Sequence, residues 1–119
     1  MAKKVAIIDD EEMIVNLYSK VLSKEFKVVT AFDGTEGLEL IENEKPDVIL
    51  VDIRMPKMDG LAMIEEMKKK DLLYIPVLVL TNLIEDEKVA KAIEIGAKGY
   101  FLKSRTTPAD IKEEIKKLL

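Results

Sequence analysis

Four short apolar stretches of this chain each run directly into polar side chains of a kind that can do chemistry. Val5-Ala6-Ile7-Ile8 ends at Asp9-Asp10, Val48-Ile49-Leu50-Val51 at Asp52, Val77-Leu78-Val79-Leu80 at Thr81-Asn82, and Tyr100-Phe101-Leu102 at Lys103. Three carboxylates drawn together in partial burial cannot all stay ionised unless a cation joins them. A hard cation with oxygen ligands and retained waters resolves the conflict, and Mg²⁺ fits best. A hydroxyl and an ammonium facing the same place suit an arriving anion. Mg²⁺ and a lysine around an acceptor carboxylate are what phosphoryl transfer needs, because its catalysis is mostly positioning and charge neutralisation. A carboxylate can itself be the nucleophile and form an aspartyl phosphate. On that chemistry Asp52 is the acceptor, Asp9 and Asp10 are metal-site acids, Thr81 donates its hydroxyl to the phosphoryl group, and Lys103 is the counter-charge.

Each residue also has an ordinary structural explanation. Asp9-Asp10 could cap a helix, Asp52 could open a turn, Thr81 suits a strand end, Lys103 could be solvated, and Tyr100 could simply pack. Separately these are sufficient. They leave unexplained why the polar set falls at the carboxyl ends of four of five strands in so short a chain.

The elements that must position the set are legible from periodicity. Val5–Ile8 is a buried strand, followed by a helix with Ile14, Leu17, Tyr18, Val21 and Leu22 at helical spacing. Val28–Ala31 is the second strand. Asp33-Gly34-Thr35-Glu36 reads as a capping box opening a helix through Leu38 and Ile41, which must end near Lys45 because Pro46 follows. Val48–Val51 lacks any polar break, as in a strand covered on both faces. Pro56 and Asp59-Gly60 supply turn chemistry before a helix with Leu61, Ile64 and Met67 on one face. Val77–Leu80 is the fourth strand, and its helix presents Val89, Ala92 and Ile93 inward and stops at Gly96, a left-handed cap. After the strand Tyr100–Leu102, Thr107-Pro108-Ala109-Asp110 opens a last helix that buries Ile111, Ile115 and Leu118. Five β-α units in strict alternation predict a doubly wound parallel sheet, for which the flavodoxin-like order 2-1-3-4-5 is the natural choice. In that order the winding reverses between the first and third strands, so Asp9, Asp10 and Asp52 flank the crevice where such sheets bind ligands.

Composition narrows the chemistry further. At 119 residues the chain is expected to form a single domain, 1–119. It has no cysteine and no histidine, which removes thiolate chemistry, the commonest general base and the commonest transition-metal ligand. The absence of cysteine, of a membrane-length apolar run and of a signal peptide fits a cytoplasmic location. A net charge of −4 argues against direct nucleic-acid binding. Lys68-Lys69-Lys70 suits the negative end of a helix and does not alter that expectation.

Over essentially its whole length the sequence resembles the receiver domain of two-component response regulators. The matching pieces are Ile7–Glu11, Pro46–Asp52, Met55–Gly60, Pro76–Thr81 and Gly96–Lys103. The resemblance implies phosphotransfer to Asp52 from the phosphohistidine of a histidine kinase or phosphotransfer protein. It implies Mg²⁺ held by Asp10, Asp52 and the backbone carbonyl of Arg54, with Asp9 acting mainly through metal-bound water. It also implies a switch in which Thr81 moves toward the phosphoryl group and Tyr100 turns inward, changing the surface of the fourth helix, fifth strand and fifth helix for a downstream effector. Such a chain is a signalling switch with self-catalysed phosphotransfer and dephosphorylation, not an enzyme. Phosphorylation-dependent dimerisation is left open, as is whether the domain stands alone or belongs to a longer regulator.

Two positions depart from the family pattern. Ser104 replaces the usual proline after the lysine, which predicts a trans bond with a remodelled loop in preference to a rare strained cis bond, because cis is costly before a non-proline residue. Asn82 is larger than the usual residue after the threonine, and it can narrow access to Asp52 or hydrogen-bond beside the phosphoryl group. Arg54, next to the acceptor, can interact with attacking water. These three are expected to modulate rates. Competing readings are a receiver-like scaffold that binds partners without phosphorylation, a Mg²⁺-dependent aspartyl phosphatase, and a flavodoxin-like module for a cofactor or nucleotide. The phosphatase reading is disfavoured by the Asp9-Asp10 spacing. The cofactor reading lacks a Gly-rich phosphate loop.

Overall fold

The computed structural model describes residues 2–82 and 87–119. Its sheet has five parallel strands in the order β2-β1-β3-β4-β5, formed by β1 (Lys4–Ile8), β2 (Lys27–Ala31), β3 (Val48–Val51), β4 (Val77–Thr81) and β5 (Gly99–Leu102). Between and after the strands run α1 (Glu12–Leu22), α2 (Gly34–Glu44), α3 (Gly60–Lys69), α4 (Glu87–Ile95) and α5 (Pro108–Leu118). The expected doubly wound, flavodoxin-like fold is therefore observed, with the expected strand order.

Alternation within each strand divides the interior in two. Val5, Ile7, Val48, Leu50, Leu78 and Leu80 face α1 and α5, where they meet Val15, Tyr18, Leu22, Ile111 and Ile115. The intervening residues, including Ala6, Ile8, Ile49, Val51, Val77 and Val79, face α2, α3 and α4 and meet Ile41, Leu61, Met63, Ile64, Met67, Val89 and Ala92. Both faces of the central strands are thus covered, which is why their sequences carry no polar interruption.

Local chemistry sets the helix ends. Asp33 caps α2 by accepting from the Glu36 N–H at 2.8 Å. Thr107 and Asp110 form a reciprocal capping box at α5, with Pro108 at its start. Lys45 closes α2 in the left-handed region, its N–H donating to the Ile41 carbonyl at 3.0 Å.

Three expectations need correction. The inward stripe of α1 is Val15, Tyr18 and Leu22, whereas Leu17 is exposed and Ile14 and Val21 are half-buried. The apolar positions of this helix support two adjacent stripes. The one containing Tyr18 is inward, and its hydroxyl donates to the Thr106 carbonyl at 3.3 Å. On α4, Val89 and Ala92 are buried but Ile93 is 37 % exposed, because one residue further along a helix points about 100° away. Gly96 lies at φ 149° rather than in the left-handed helical basin, still a region open to glycine. The Gly96 and Ala97 N–H groups both donate to the Ala92 carbonyl.

Candidate functional site

The register of the sheet brings the carboxylates together. Ile8 pairs with Val51 across β1 and β3, so the residues that follow, Asp9 and Asp52, leave the sheet side by side. Backbone bonds fix both. The Asp9 N–H donates to the Ala31 carbonyl at 3.1 Å, and the Asp52 N–H donates to the Ile8 carbonyl at 2.9 Å. Asp9 and Asp52 are buried and Asp10 is exposed. Even so, each of the three offers a carboxylate oxygen within 4.8 Å of the others.

Lys103 reaches this group from two strands away. Thr81 pairs with Leu102, so Lys103 starts one residue beyond Thr81, and two strand spacings, roughly 9.5 Å, separate β5 from β3. Its long stem returns to the carboxylates, placing Nζ 2.8 Å from Asp9 Oδ2 and 3.1 Å from Asp52 Oδ2. A third carboxylate, Glu11, approaches the same nitrogen at 2.6 Å through Oε1. The Lys103 side chain is only 4 % exposed. Of all the expected placements, that of Lys103 rested on the least regular sequence, yet it is tightly held. Ser104 is exposed within a short 3₁₀ turn, Lys103–Arg105, and no cis peptide occurs among the described residues.

Electrostatics follow from this packing. Burial, and then the neighbouring Asp9 charge, push the Asp52 carboxyl up to about 6, although Lys103 opposes the rise. Burial also raises Asp9. Glu11, which keeps water on one side, is lowered by its bond to Lys103. Lys103 itself is held strongly protonated by Asp9, Glu11 and Asp52 despite its burial.

The loop after Asp52 is shaped tightly around that residue. The Arg54 N–H donates to Asp52 Oδ1 at 3.4 Å, while the Arg54 side chain is exposed. Lys57 turns at φ 66° and the Met58 N–H donates to the Pro56 carbonyl at 2.7 Å, a γ-turn of the strained, positive-φ kind. Gly60 then returns onto Asp52. Its N–H donates to the Ile53 carbonyl at 2.8 Å, and a Cβ there would lie 2.3 Å from the carbonyl oxygen of Asp52. Gly34 is required for the same reason, since a Cβ there would meet the Met58 carbonyl oxygen at 2.1 Å.

Above the carboxylates opens a crevice of about 170 Å³ lined by Asp10, Glu11, Asp52, Arg54, Thr81 and Asn82. Thr81 is buried at the end of β4, and Asn82 donates to Glu11 Oε1 at 3.4 Å. Tyr100, on β5, is 47 % exposed. A wider hollow of about 230 Å³, between β2 and α2, contains none of these residues. The structure therefore gathers Asp9, Asp10, Asp52, Thr81, Asn82 and Lys103 at one edge. It places Tyr100 and Ser104 on the surface nearby. Glu11 was not expected to take part; the available signal was a third acid directly after the Asp9-Asp10 pair.

The donor set fits a hard divalent cation. All its ligand atoms are oxygens, and among the described residues the buried Asp9 Oδ2 has the lysine ion pair but no directed hydrogen bond. Residues 5–116 match the family described as the response regulator receiver domain. The chain belongs to that family. It is 36 % identical over its full length to the alkaline phosphatase synthesis transcriptional regulatory protein PhoP of Bacillus subtilis, covering 49 % of that protein. It is 34 % identical to the chemotaxis protein CheY of Halobacterium salinarum, over 92 % of this chain and 91 % of that one. The receiver spans about half the length of the transcriptional and VraR-type regulators it matches. Among solved structures, the CheY-like receiver domain protein of Methanospirillum hungatei superposes with a TM-score of 0.90 at 30 % identity, covering 99 % of this receiver and 94 % of that chain. CheY4 of Vibrio cholerae gives 0.89 at 28 %, with both chains fully covered. The protein is thus a receiver of two-component signalling, and no described helix is long and apolar enough to cross a membrane.

Proposed function

We propose that this receiver accepts a phosphoryl group on Asp52 from the phosphohistidine of a histidine kinase or phosphotransfer protein, and that the modification changes the α4-β5-α5 surface presented to a downstream effector. The observation that carries the reading is the buried Asp52 carboxylate held between a lysine and two further acids at the mouth of a crevice. A carboxylate oxygen of Asp52 forms the new P–O bond as the P–N bond breaks, and the imidazole leaves neutral after taking up a proton. Lys103 stays charged throughout and lies within reach of the oxygens of the incoming group. Thr81, at the floor of the crevice, supplies a hydroxyl to the same oxygens.

Asp10, Asp52 and the backbone carbonyl of Arg54 would hold Mg²⁺, with Asp9 acting through metal-bound water. The cation supplies charge neutralisation between the acceptor and the transferring group. Once Asp52 carries the phosphoryl group, new negative charge and acceptor oxygens appear beside Thr81 and Lys103. Only differential interaction with the two states can shift the switch, and these two residues supply it. Tyr100, now outward, marks the unmodified setting of the face that responds. The receiver turns over no substrate of its own. It works as a cytoplasmic switch, and self-association through the same face is one output open to it.

Incubation with acetyl phosphate tests the reading. A Mg²⁺-dependent mass gain of one phosphoryl group is expected. No adduct and no Mg²⁺ binding would leave only a scaffold.

A further inference from the structure

We infer that Glu11 is a positioning residue that competes with the incoming phosphoryl group for Lys103, and so sets how readily this receiver is phosphorylated. The inference rests on the acceptor reading of Asp52. An ammonium has three donors, and in the unmodified site Lys103 faces three carboxylates, Asp9 at 2.8 Å, Asp52 at 3.1 Å and Glu11 at 2.6 Å. Two of those donors are directed at Glu11 and Asp52, and the Asp9 charge closes the remaining side, so an arriving anion comes into close contact with the ammonium only when one partner releases it. Asp9 and Asp52 are buried and fixed by backbone bonds at the strand ends. Glu11 has the shortest contact, but its side chain is 47 % exposed and it can swing into water at little desolvation cost. It is therefore the partner that yields.

Asn82 makes this contact more persistent. Its side-chain amide donates to the same Oε1 at 3.4 Å, so Glu11 is held over the mouth of the crevice from the β4 side. Both residues line that crevice together with Asp52 and Thr81. In this arrangement the lysine is neutralised from the solvent side until a phosphoryl group displaces the carboxylate.

The test compares wild type, Glu11→Gln and Glu12→Gln, with acetyl phosphate as donor at saturating Mg²⁺. Glu12 is the exposed acid next to Glu11, so Glu12→Gln removes the same charge without touching Lys103. Glu11→Gln should phosphorylate faster at limiting donor by roughly two- to fivefold, the range of a partly exposed ion pair. The gain should appear as a lower half-saturating donor concentration, and Glu12→Gln should match wild type. In a Lys103→Met background the Glu11→Gln effect should vanish. Equal or slower phosphorylation of Glu11→Gln, or an equal gain in Glu12→Gln, would overturn the assignment while leaving Asp52 as acceptor. Failure of wild type to take up phosphoryl would overturn the acceptor reading and this inference with it. Thermal melting of each variant verifies that the exposed substitutions leave the fold intact.

Discussion

Lys103 and Asp9 form a 2.8 Å ion pair across the width of three strands, with their side chains 4 % and 3 % exposed. Breaking such a pair leaves a buried charge without compensation. Lys103→Met is therefore expected to lose roughly 2–4 kcal/mol of stability at pH 7 in chelator. Asp9 and Asp52, already raised by burial, would lose the cation that favours their ionised forms. The deficit should shrink as pH falls toward 4 and both carboxyls protonate, and Mg²⁺ should recover part of it at pH 7. Urea unfolding across that pH range checks the prediction, and a deficit independent of pH would count against it.

Asp52 carries a related cost in the wild type. Its carboxyl is raised from 3.8 to about 6, so the folded protein binds the proton more tightly than the unfolded chain does. The associated stability is fully present below pH 3.8 and is lost as pH rises through about 6. In chelator, Asp52→Asn should exceed wild type by roughly 1–3 kcal/mol at pH 8 and match it near pH 4. Carboxyl NMR titration of the metal-free wild type should find the midpoint near 6, and Mg²⁺ should lower it.

Gly60 has no room for a side chain because the Asp52 carbonyl oxygen occupies that space. Gly60→Ala is expected to cost roughly 1–3 kcal/mol and, by shifting the acceptor, to slow phosphorylation by about tenfold or more. Phosphorylation kinetics on the folded fraction separate the two effects. Wild-type kinetics in Gly60→Ala would show that the acceptor does not depend on this approach.

Asn82→Ala removes a donor that holds Glu11 and opens the crevice. Phosphorylation should accelerate by up to about twofold, less than for Glu11→Gln, and in the double variant the two effects should not add. An unchanged rate would remove Asn82 from the set of modulators.

Much of this was readable in the residues themselves, for identifiable physical reasons. Val48–Val51 lacks polar interruptions because both its faces are covered, and that pattern by itself places Asp52 at the carboxyl end of a central strand. The same logic located Asp9, Thr81 and Lys103, since a side chain that directly follows a parallel strand has little choice of position. Contacts that depend on side-chain reach were harder. Nothing in the spacing of Glu11 and Lys103, 92 residues apart, says that one long side chain crosses two strands to meet the other. The inward stripe of α1 and the exposure of Ile93 depended on how each helix rotates on the sheet, and several rotations satisfy the pattern. Gly60 announced a turn, but its contact with the Asp52 carbonyl comes from the fold of the whole loop.

Phosphorylation of Asp52 is the step on which the proposed switch rests. Its most direct test is borohydride reduction after acetyl phosphate treatment with Mg²⁺, followed by peptide mapping. An acyl phosphate on Asp52 is reduced to homoserine, so that product is expected at position 52 alone, absent without Mg²⁺ and absent in Asp52→Ala. Reduction product at Asp9, Asp10 or Glu11 in the wild type, or full labelling of Asp52→Ala, would contradict it.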